Sequence, residues 1–339
     1  MKNGQRKSSR LLVILGFGLV LAFQFASRAN AQSINCAAPV TTAPSGPAVV
    51  SVASTSYGNV LVEGSADYAG CSLYILTSDK LNALTTNAEP FACSDNKNVL
   101  GPPCDAVLWP ALLTNGAPVA GPGVNPTLLG TVTRSDVLPG QSVQQVTYAG
   151  LPLYRFFLDE TPGETEGANL FDPVTSPTGI WYLVEPSRGR PAPGRARLGL
   201  VTAPVNGTGA DQTVLAALMN ADFSVFPDAS FPVYIQSTQR WGEGDHPWGG
   251  DIDCRSICAA VPWPPVLTSG PPEAGPGVDQ DALGTIVRPD GTWQVTYKNK
   301  PVYLFYGDAY IAGITGTQGI YGQGKVTPWG VFNTVPPSP

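Results

Sequence analysis

An internal repeat constrains the fold of this chain more than any other feature of its sequence. Leu129-Gly130-Thr131 recurs as Leu283-Gly284-Thr285, and the flanking landmarks of both copies keep the same spacing of 154 residues. Beyond Arg134 the first copy carries five extra residues, and the spacing becomes 149. Such a constant register indicates a tandem duplication, so we expect two homologous units.

The repeated segments have the pattern of β-strands joined by turns. Trp293, Val295 and Tyr297 alternate with polar residues, which is typical of a strand with one buried face. Pro289-Asp290-Gly291 precedes them and has turn chemistry, because Pro presets φ and Gly accepts a positive φ. With 38 Gly and 34 Pro, the chain is interrupted too often for long helices. The sequence therefore predicts an all-β fold of tandem duplicated antiparallel β-meanders. The copies could form two domains or one body, such as a small sandwich, barrel or propeller-like sheet.

A Tyr followed five residues later by a polar residue occurs four times, twice in each copy. The pairs are Tyr74 and Asp79, Tyr154 and Asp159, Tyr234 and Gln239, and Tyr303 and Asp308. We expect the Tyr and Phe side chains of these strands to fill the core. The Asp is expected to accept backbone N–H bonds in the following turn. Gln239 favours this structural role over a charged site. Its amide oxygen can still accept a hydrogen bond, but the side chain has neither a charge nor an accessible pKa.

These motifs resemble a known family. The Tyr-x-Phe-x-x-Asp strands, the cysteine pair ahead of Trp-Pro and the Leu-Gly-Thr-x-x-Arg segment are similar to the bacterial secreted-repeat family, also described as predicted lipoproteins with a Y-x-(F/W/Y)-x-x-D motif. The resemblance spans residues 59–184 and 220–333 and implies a secreted or periplasmic protein of undefined biochemical function. The chain departs from the family pattern at Gln239, at Trp109-Pro110-Ala111 and in lacking a lipobox.

The first 31 residues have the pattern of a secretion signal. Four basic residues precede the apolar run 11–23, and Ala29-Asn30-Ala31 is a small-residue cleavage site. We therefore expect cleavage after Ala31 and a periplasmic or secreted product. A lipid anchor on Cys36 is the alternative, although Ser33-Ile34-Asn35 lacks the small residues of a lipobox.

The landmarks divide the chain into six segments. They are a signal peptide (1–31), an extended lead-in (32–58), repeat copy 1 (59–184), a Pro/Gly/Arg linker (185–219), repeat copy 2 (220–333) and a tail (334–339). We interpret the four arginines of the linker as surface residues, with a basic binding patch as the alternative. They are Arg188, Arg190, Arg195 and Arg197.

Without the signal, the chain is strongly acidic. The signal holds five basic residues, so 14 Lys and Arg remain against 25 Asp and Glu, a formal charge of −11. This balance argues against nucleic acid or anionic lipid as a partner. We expect an envelope polymer, a glycan or another protein instead, and no segment after the signal is apolar enough to be a transmembrane segment.

Six cysteines in an exported chain predict three disulfides. Cys104 aligns with Cys258 of the second copy, and Cys93 falls where Cys254 falls. The expected bridges are Cys93–Cys104, Cys254–Cys258 and Cys36–Cys71. A zinc site lacks ligands, because His246 is the single histidine and no C-x-x-C pair occurs.

Two acidic loops are candidates for a calcium site, and no other cofactor is expected. Ca²⁺ takes about six to eight oxygen ligands on flexible loops. The candidate ligands are Asp159, Glu160, Glu164 and Glu166 in the first loop and Glu243, Asp245, Asp251 and Asp253 in the second. Neither loop has the ligand alternation of an EF-hand, so solvated acidic turns are the alternative.

Aromatic residues offer a second kind of candidate site. Trp241 and Trp248 lie among Gly and Asp, where an exposed indole could stack on a sugar ring. We expect Trp293 in the core, and Trp263 packed against its neighbouring prolines and disulfide.

No motif in the sequence identifies a catalytic residue. G-x-S-x-G, P-loop and dinucleotide-binding motifs do not occur. The sequence favours an exported non-catalytic binding or scaffold protein of the cell envelope. The alternatives are a hydrolase-type enzyme using loop carboxylates around Asp159 or Asp251, and an accessory to extracellular electron transfer. Two carboxyls in one cleft would be the mark of the hydrolase.

Overall fold

Short strands separated by turns dominate the computed structural model, which describes residues 34–82, 91–94, 103–172, 179–218, 230–237, 263–288, 291–305, 307–308, 319–327 and 330–337. The strands of the first half are β1 (Val49–Thr55), β2 (Gly58–Glu63), β3 (Tyr74–Leu76), β4 (Leu113–Thr114), β5 (Val119–Ala120), β6 (Leu129–Arg134), β7 (Val143–Tyr148), β8 (Leu151–Pro152), β9 (Phe171–Asp172), β10 (Gly179–Val184) and β11 (Pro191–Ala192).

The second half continues with strands of similar length. They are β12 (Arg197–Pro204), β13 (Asp211–Leu218), β14 (Ser230–Pro232), β15 (Tyr234–Gln236), β16 (Leu267–Thr268), β17 (Glu273–Ala274), β18 (Leu283–Val287), β19 (Trp293–Tyr297), β20 (Lys300–Pro301), β21 (Lys325–Thr327) and β22 (Gly330–Thr334). Helical structure in the described residues consists of α1 (Thr77–Asn82), the helical residues 307 and 308, and single turns at Cys104–Leu108, Pro126–Leu128 and Gln280–Ala282. The predicted all-β fold is confirmed. No helix among these residues has the length and apolar character that a bilayer crossing requires.

The described strands form six small sheets, and the sheets of the two halves correspond. In the sheet β2-β1-β5, the hairpin of β1 and β2 pairs in parallel with β5. In the sheet β14-β13-β12-β17, the hairpin of β12 and β13 pairs in parallel with β17. The orders β4-β7-β6 and β16-β19-β18 are meanders, to which β8 and β20 add a short edge strand. The remaining orders, β11-β10-β3 and β15-β22-β21, join each early Tyr strand to the last strands of its half.

Equivalent strands also pair in the same register. Leu129 faces Tyr148 in the first meander, as Leu283 faces Tyr297 in the second. The five extra residues of the first copy lie in the connection between β6 and β7, which leaves the pairing intact. The two halves therefore share one plan of strands, and their origin by duplication stays a prediction.

The segments assigned to the extended lead-in and to the linker contain strands. The lead-in 32–58 includes β1, and the linker 185–219 includes β11 and the hairpin of β12 and β13, which corresponds to the hairpin of β1 and β2. The Arg and Pro at the ends of β12 suggested a linker, whereas its middle is apolar and buries Leu198 completely.

One hydrophobic core is common to both halves. Val146 and Tyr148 of β7 belong to the same cluster of buried side chains as Val295 and Tyr297 of β19. Residues 34–339 accordingly form one compact unit. Of the two arrangements that the sequence left open, the structure has the single body.

The expected position of Trp293 is wrong. The strand β19 lies between β16 and β18, and its residues Gln294 to Tyr297 are all buried, so both of its faces are covered. Alternation between apolar and polar residues does not report orientation in such a strand. Trp293 lies at the entrance of the strand and is 43% exposed.

Two disulfides pin the first half. Cys36 is bonded to Cys71 and Cys93 to Cys104, the pairings expected from the sequence, with Cα atoms 5.4 and 5.2 Å apart. The expected Cys254–Cys258 bridge and the signal segment 1–31 lie outside the described residues.

Candidate functional site

The two Tyr motifs of the first half join distant parts of the chain, because each Tyr hydroxyl bonds to the Asp of the other motif. Tyr74 and Tyr154 form an antiparallel bridge, in which the N–H of each donates to the carbonyl of the other at 2.8 and 3.0 Å. The Tyr74 hydroxyl donates to Asp159 at 2.7 Å, and the Tyr154 hydroxyl donates to Asp79 at 2.9 Å. Each Asp therefore binds the Tyr of the other motif, and its second oxygen accepts a backbone N–H of the following loop at 2.8 Å.

The second half repeats this arrangement. Tyr234 and Tyr303 exchange backbone hydrogen bonds of 2.8 and 3.0 Å, and the Tyr234 hydroxyl donates to Asp308 at 2.7 Å. The other oxygen of Asp308 accepts the N–H of Tyr321 at 2.8 Å. Gln239, which the same rule would assign to Tyr303, lies outside the described residues.

The three Asp side chains of these pairs are shielded from water. Burial raises the pKa of Asp159 and of Asp308 to about 7, and that of Asp79 to about 6. The hydrogen bonds from the Tyr hydroxyls and backbone N–H groups oppose this shift by favouring the charged form. Enclosed carboxyls with both oxygens engaged are suited to holding strands together, and they offer no position to a ligand.

Aromatic rings pack around each Tyr pair. Trp109 stacks on Trp181 with centroids 3.7 Å apart and contacts Phe156 at 4.2 Å. In the second half Trp263 contacts Phe305 at 4.5 Å with nearly the same tilt, 33° against 32°. Trp263 also contacts Tyr234 edge-on. Its described ring contacts are therefore with aromatic residues of the Tyr234 and Tyr303 strands.

A buried arginine network escaped the sequence reasoning. Arg134, the last residue of the Leu-Gly-Thr-x-x-Arg segment, is fully buried and donates to the Gln145 side chain at 2.8 Å and to the Cys93 carbonyl at 2.9 Å. It also forms ion pairs with Asp105 and Asp136. The network therefore links β6, β7 and the disulfide-bonded loop.

The second copy contains the matching contact. Arg288 donates to the Gln294 side chain at 2.9 Å, and Gln294 donates to the Val302 carbonyl at 2.9 Å. A signal for it was present, because Arg and Gln recur at aligned positions of both copies. The alternating pattern assigned the Gln to the solvent face and so concealed it.

Two carboxylates of the first acidic loop form hydrogen bonds within the protein. Glu164 accepts hydrogen bonds from the backbone N–H groups of Glu160 and Thr161, and Asp159 is bound to Tyr74. In the part of the chain that the structure describes, no three His, Cys, Asp or Glu side chains are grouped to hold a metal ion. The remaining candidates lie outside it: Glu243, Asp245, Asp251, Asp253, Trp241 and Trp248.

A cavity of about 540 Å³ opens beneath the lead-in. Residues 39–48, rich in Pro, Thr and Ser, form one side of it. The opposite side includes Glu63 at the end of β2, Asp67, Tyr68 and Arg155. We call it the lead-in cavity.

Arg155 fastens the lead-in to the rest of the protein. Its guanidinium donates to the carbonyls of Cys36 at 2.8 Å and Ala38 at 3.1 Å. It lies 3.8 Å from the centre of the Tyr68 ring and forms a 3.6 Å ion pair with Glu63. Its donors are thus largely directed at the protein itself.

Glu63 is the unusual group of the lead-in cavity. Its side chain is buried, and its Oε2 atom has no hydrogen-bond donor although the Arg155 charge is nearby. Burial raises the pKa of Glu63 to about 7; Arg155 and a hydrogen bond with the Ser65 side chain oppose this shift, and Asp67 adds to it. Buried acceptors are normally satisfied, so an Oε2 atom without a hydrogen bond in a residue that lines a cavity is unusual. No sequence signal identifies Glu63, because a lone acidic residue at the end of a strand forms no motif.

A known protein family matches two segments of the chain that contain the Tyr motif. Residues 140–172 and 284–319 match the model of a family described as a secreted repeat of unknown function. The first match includes Tyr154 and Asp159, and the second includes Tyr303 and Asp308. No curated protein and no solved structure matches the chain. Each half of the chain thus has one segment that matches the secreted repeat of unknown function.

Proposed function

We propose that the chain is an exported, non-catalytic binding protein whose ligand occupies the lead-in cavity. The matches to a secreted repeat support export. The observation that carries the binding role is Glu63, a buried carboxyl that lines the cavity and whose Oε2 atom, 3.6 Å from the Arg155 Nε atom, accepts no hydrogen bond. A buried acceptor without a hydrogen bond costs stability, which a bound donor would recover.

The charges of the lead-in cavity favour a small ligand with a protonated amine. Glu63 and Asp67 provide two carboxyls, whereas the Arg155 donors bind the carbonyls of Cys36 and Ala38. An ammonium group would donate to the Glu63 oxygen and favour its ionised form. In the protein without a ligand, the pKa of Glu63 is about 7, so the ionised fraction of Glu63 rises between about pH 6 and 8. The affinity for a cation should rise over the same range.

Spermidine and its fully N-acetylated form are suitable probes, since acetylation removes the positive charges. Calorimetric titration of the full mature protein should detect spermidine and not the acetylated compound. Glu63→Gln keeps the shape of the side chain and should weaken spermidine binding by about tenfold or more. Glu273→Gln, an exposed acidic residue outside the cavity, is the matched control for general charge attraction. Equal binding of both compounds, or full affinity in Glu63→Gln, would refute the proposal.

A hydrolase is the second candidate, because Glu63 and Asp67 place two carboxyls in one cavity. A carboxyl with a pKa of about 7 can donate and accept a proton near neutral pH. Turnover of nitrophenyl glycosides that disappears in both Glu63→Gln and Asp67→Asn would establish this role. Spermidine binding without turnover would favour the binding protein over the hydrolase.

A further inference from the structure

A second cavity, of about 340 Å³, lies where the turn after β10 meets the start of β19. Arg188 and Arg190 line one part of it, and Trp293 lines another. Hydroxyl groups of Ser187, Ser269 and Thr292 lie among them. We call it the arginine groove; it shares no residue with the lead-in cavity.

The turn that carries the two arginines is held in place by its own acidic residue. The Glu185 carboxylate accepts the N–H groups of Ser187 at 2.7 Å and Arg188 at 3.1 Å. The Glu185 N–H in turn donates to the Arg190 carbonyl at 2.8 Å. Glu185 is therefore used by the backbone, and neither arginine forms an ion pair with a described residue.

Arg190 is positioned by Gly291. Its Nη1 atom donates to the Gly291 carbonyl at 3.1 Å. A Cβ atom at residue 291 would lie 2.5 Å from the same nitrogen, and the φ of +76° also favours glycine. The glycine thus lets the guanidinium lie against the backbone at the edge of the groove, next to the strand that begins with Trp293.

The indole of Trp293 gives the groove an apolar surface. It is 43% exposed, whereas every other residue of β19 is buried. The apolar face of a sugar ring packs against an indole, and hydroxyl side chains can bond the hydroxyls of the sugar. Guanidinium groups bind carboxylates with paired, charge-assisted hydrogen bonds.

We propose that the arginine groove binds a saccharide that carries carboxylates. The sugar ring stacks on Trp293, and its carboxylate binds Arg188 and Arg190. This site is independent of the amine ligand proposed for the lead-in cavity.

Trigalacturonate, neutral maltotriose and inorganic sulfate are the three probes. Titration of the mature protein, followed by calorimetry and by tryptophan fluorescence, should show binding of trigalacturonate and none of maltotriose. Trp293→Ala and Arg188→Gln should each weaken trigalacturonate by about tenfold or more. Arg197→Ala, an exposed arginine of β12, should leave the affinity unchanged, and so should Glu63→Gln.

Three results would overturn the proposal. The first is no binding of trigalacturonate. The second is tight sulfate binding with full affinity for trigalacturonate in Trp293→Ala, which would indicate a general anion site. The third is equal binding of maltotriose, which would remove the role of the arginines. Circular dichroism of each variant confirms that it is folded.

Discussion

The hydroxyls of Tyr74, Tyr154 and Tyr234 each donate to a carboxylate far away in the chain. Tyr74 and Asp159 are 85 residues apart, and Tyr154 and Asp79 are 75 apart. The sequence predicted that each Asp accepts backbone N–H bonds in the following turn, which Asp79 and Asp159 do, but spacing along one strand does not show the partner of the Tyr hydroxyl. The true partner depends on which strands meet, and that is decided by packing of the whole unit.

A double-mutant cycle tests the exchanged pairing. Tyr74→Phe leaves one oxygen of Asp159 without its donor and should destabilise the protein by about 1–3 kcal/mol. Tyr74→Phe and Asp159→Asn should be coupled by more than about 0.5 kcal/mol, because the two residues share a hydrogen bond. Urea denaturation provides the free energies of unfolding.

The control cycle pairs Tyr74→Phe with Asp79→Asn, the neighbour of Tyr74 in sequence. These effects should add within about 0.5 kcal/mol. Stronger coupling of Tyr74 to Asp79 than to Asp159 would contradict the pairing.

The same carboxyls predict how stability depends on pH. Burial raises the folded-state pKa of Asp159 and Asp308 from 3.8 to about 7, and that of Asp79 to about 6. The folded protein therefore binds more protons than the unfolded chain between about pH 4 and 7, so stability falls as pH rises through this range. The free energy of unfolding should be larger at pH 5 than at pH 8, and Asp159→Asn should reduce the difference. A protein more stable at pH 8 would contradict the raised pKa values.

At the scale of elements, the sequence predicted the meanders and the described disulfides but missed a hairpin and the orientation of a strand. Strong turn signals and repeated landmarks carried the successful predictions. The hairpin of β12 and β13 was missed because Pro and Arg at its ends outweighed its apolar middle. Trp293 was misplaced because β19 is covered on both faces, a property of its neighbours rather than of its own pattern.

The two described disulfides differ in the loop that they close. Cys36–Cys71 spans 35 residues and Cys93–Cys104 spans 11. On the chain-entropy model, replacing the first pair by Ala should cost about 1 kcal/mol more than replacing the second pair. Chemical denaturation of both double variants measures the difference. A larger loss for the Cys93–Cys104 pair would show that local strain or contacts outweigh loop closure.

One hydrophobic core of the molecule takes side chains from both halves, so the halves should not fold separately. Val146 and Val295 come from different copies and share that core. We expect one calorimetric transition for the mature chain, with van't Hoff and calorimetric enthalpies that agree. The segment 185–339, expressed alone, should lack a cooperative transition. Two separate transitions in the mature chain would contradict the shared core.

The carboxyl groups that hold the strands together differ from the one proposed to bind a ligand. Asp159 is enclosed and bonds to Tyr74, whereas Glu63 lines the lead-in cavity and is the proposed contact of a ligand. The sequence directed attention to the first because it belongs to a motif. The second depends on a buried environment that only the folded chain creates.

Spermidine titration of Glu63→Gln and Asp159→Asn, each paired with its free energy of unfolding, tests this assignment most directly. Glu63→Gln should lose spermidine affinity by about tenfold or more while staying folded. Asp159→Asn should bind spermidine like the unaltered protein and differ from it only in stability and its dependence on pH. The account is contradicted if folded Glu63→Gln binds spermidine normally, or if folded Asp159→Asn does not bind it.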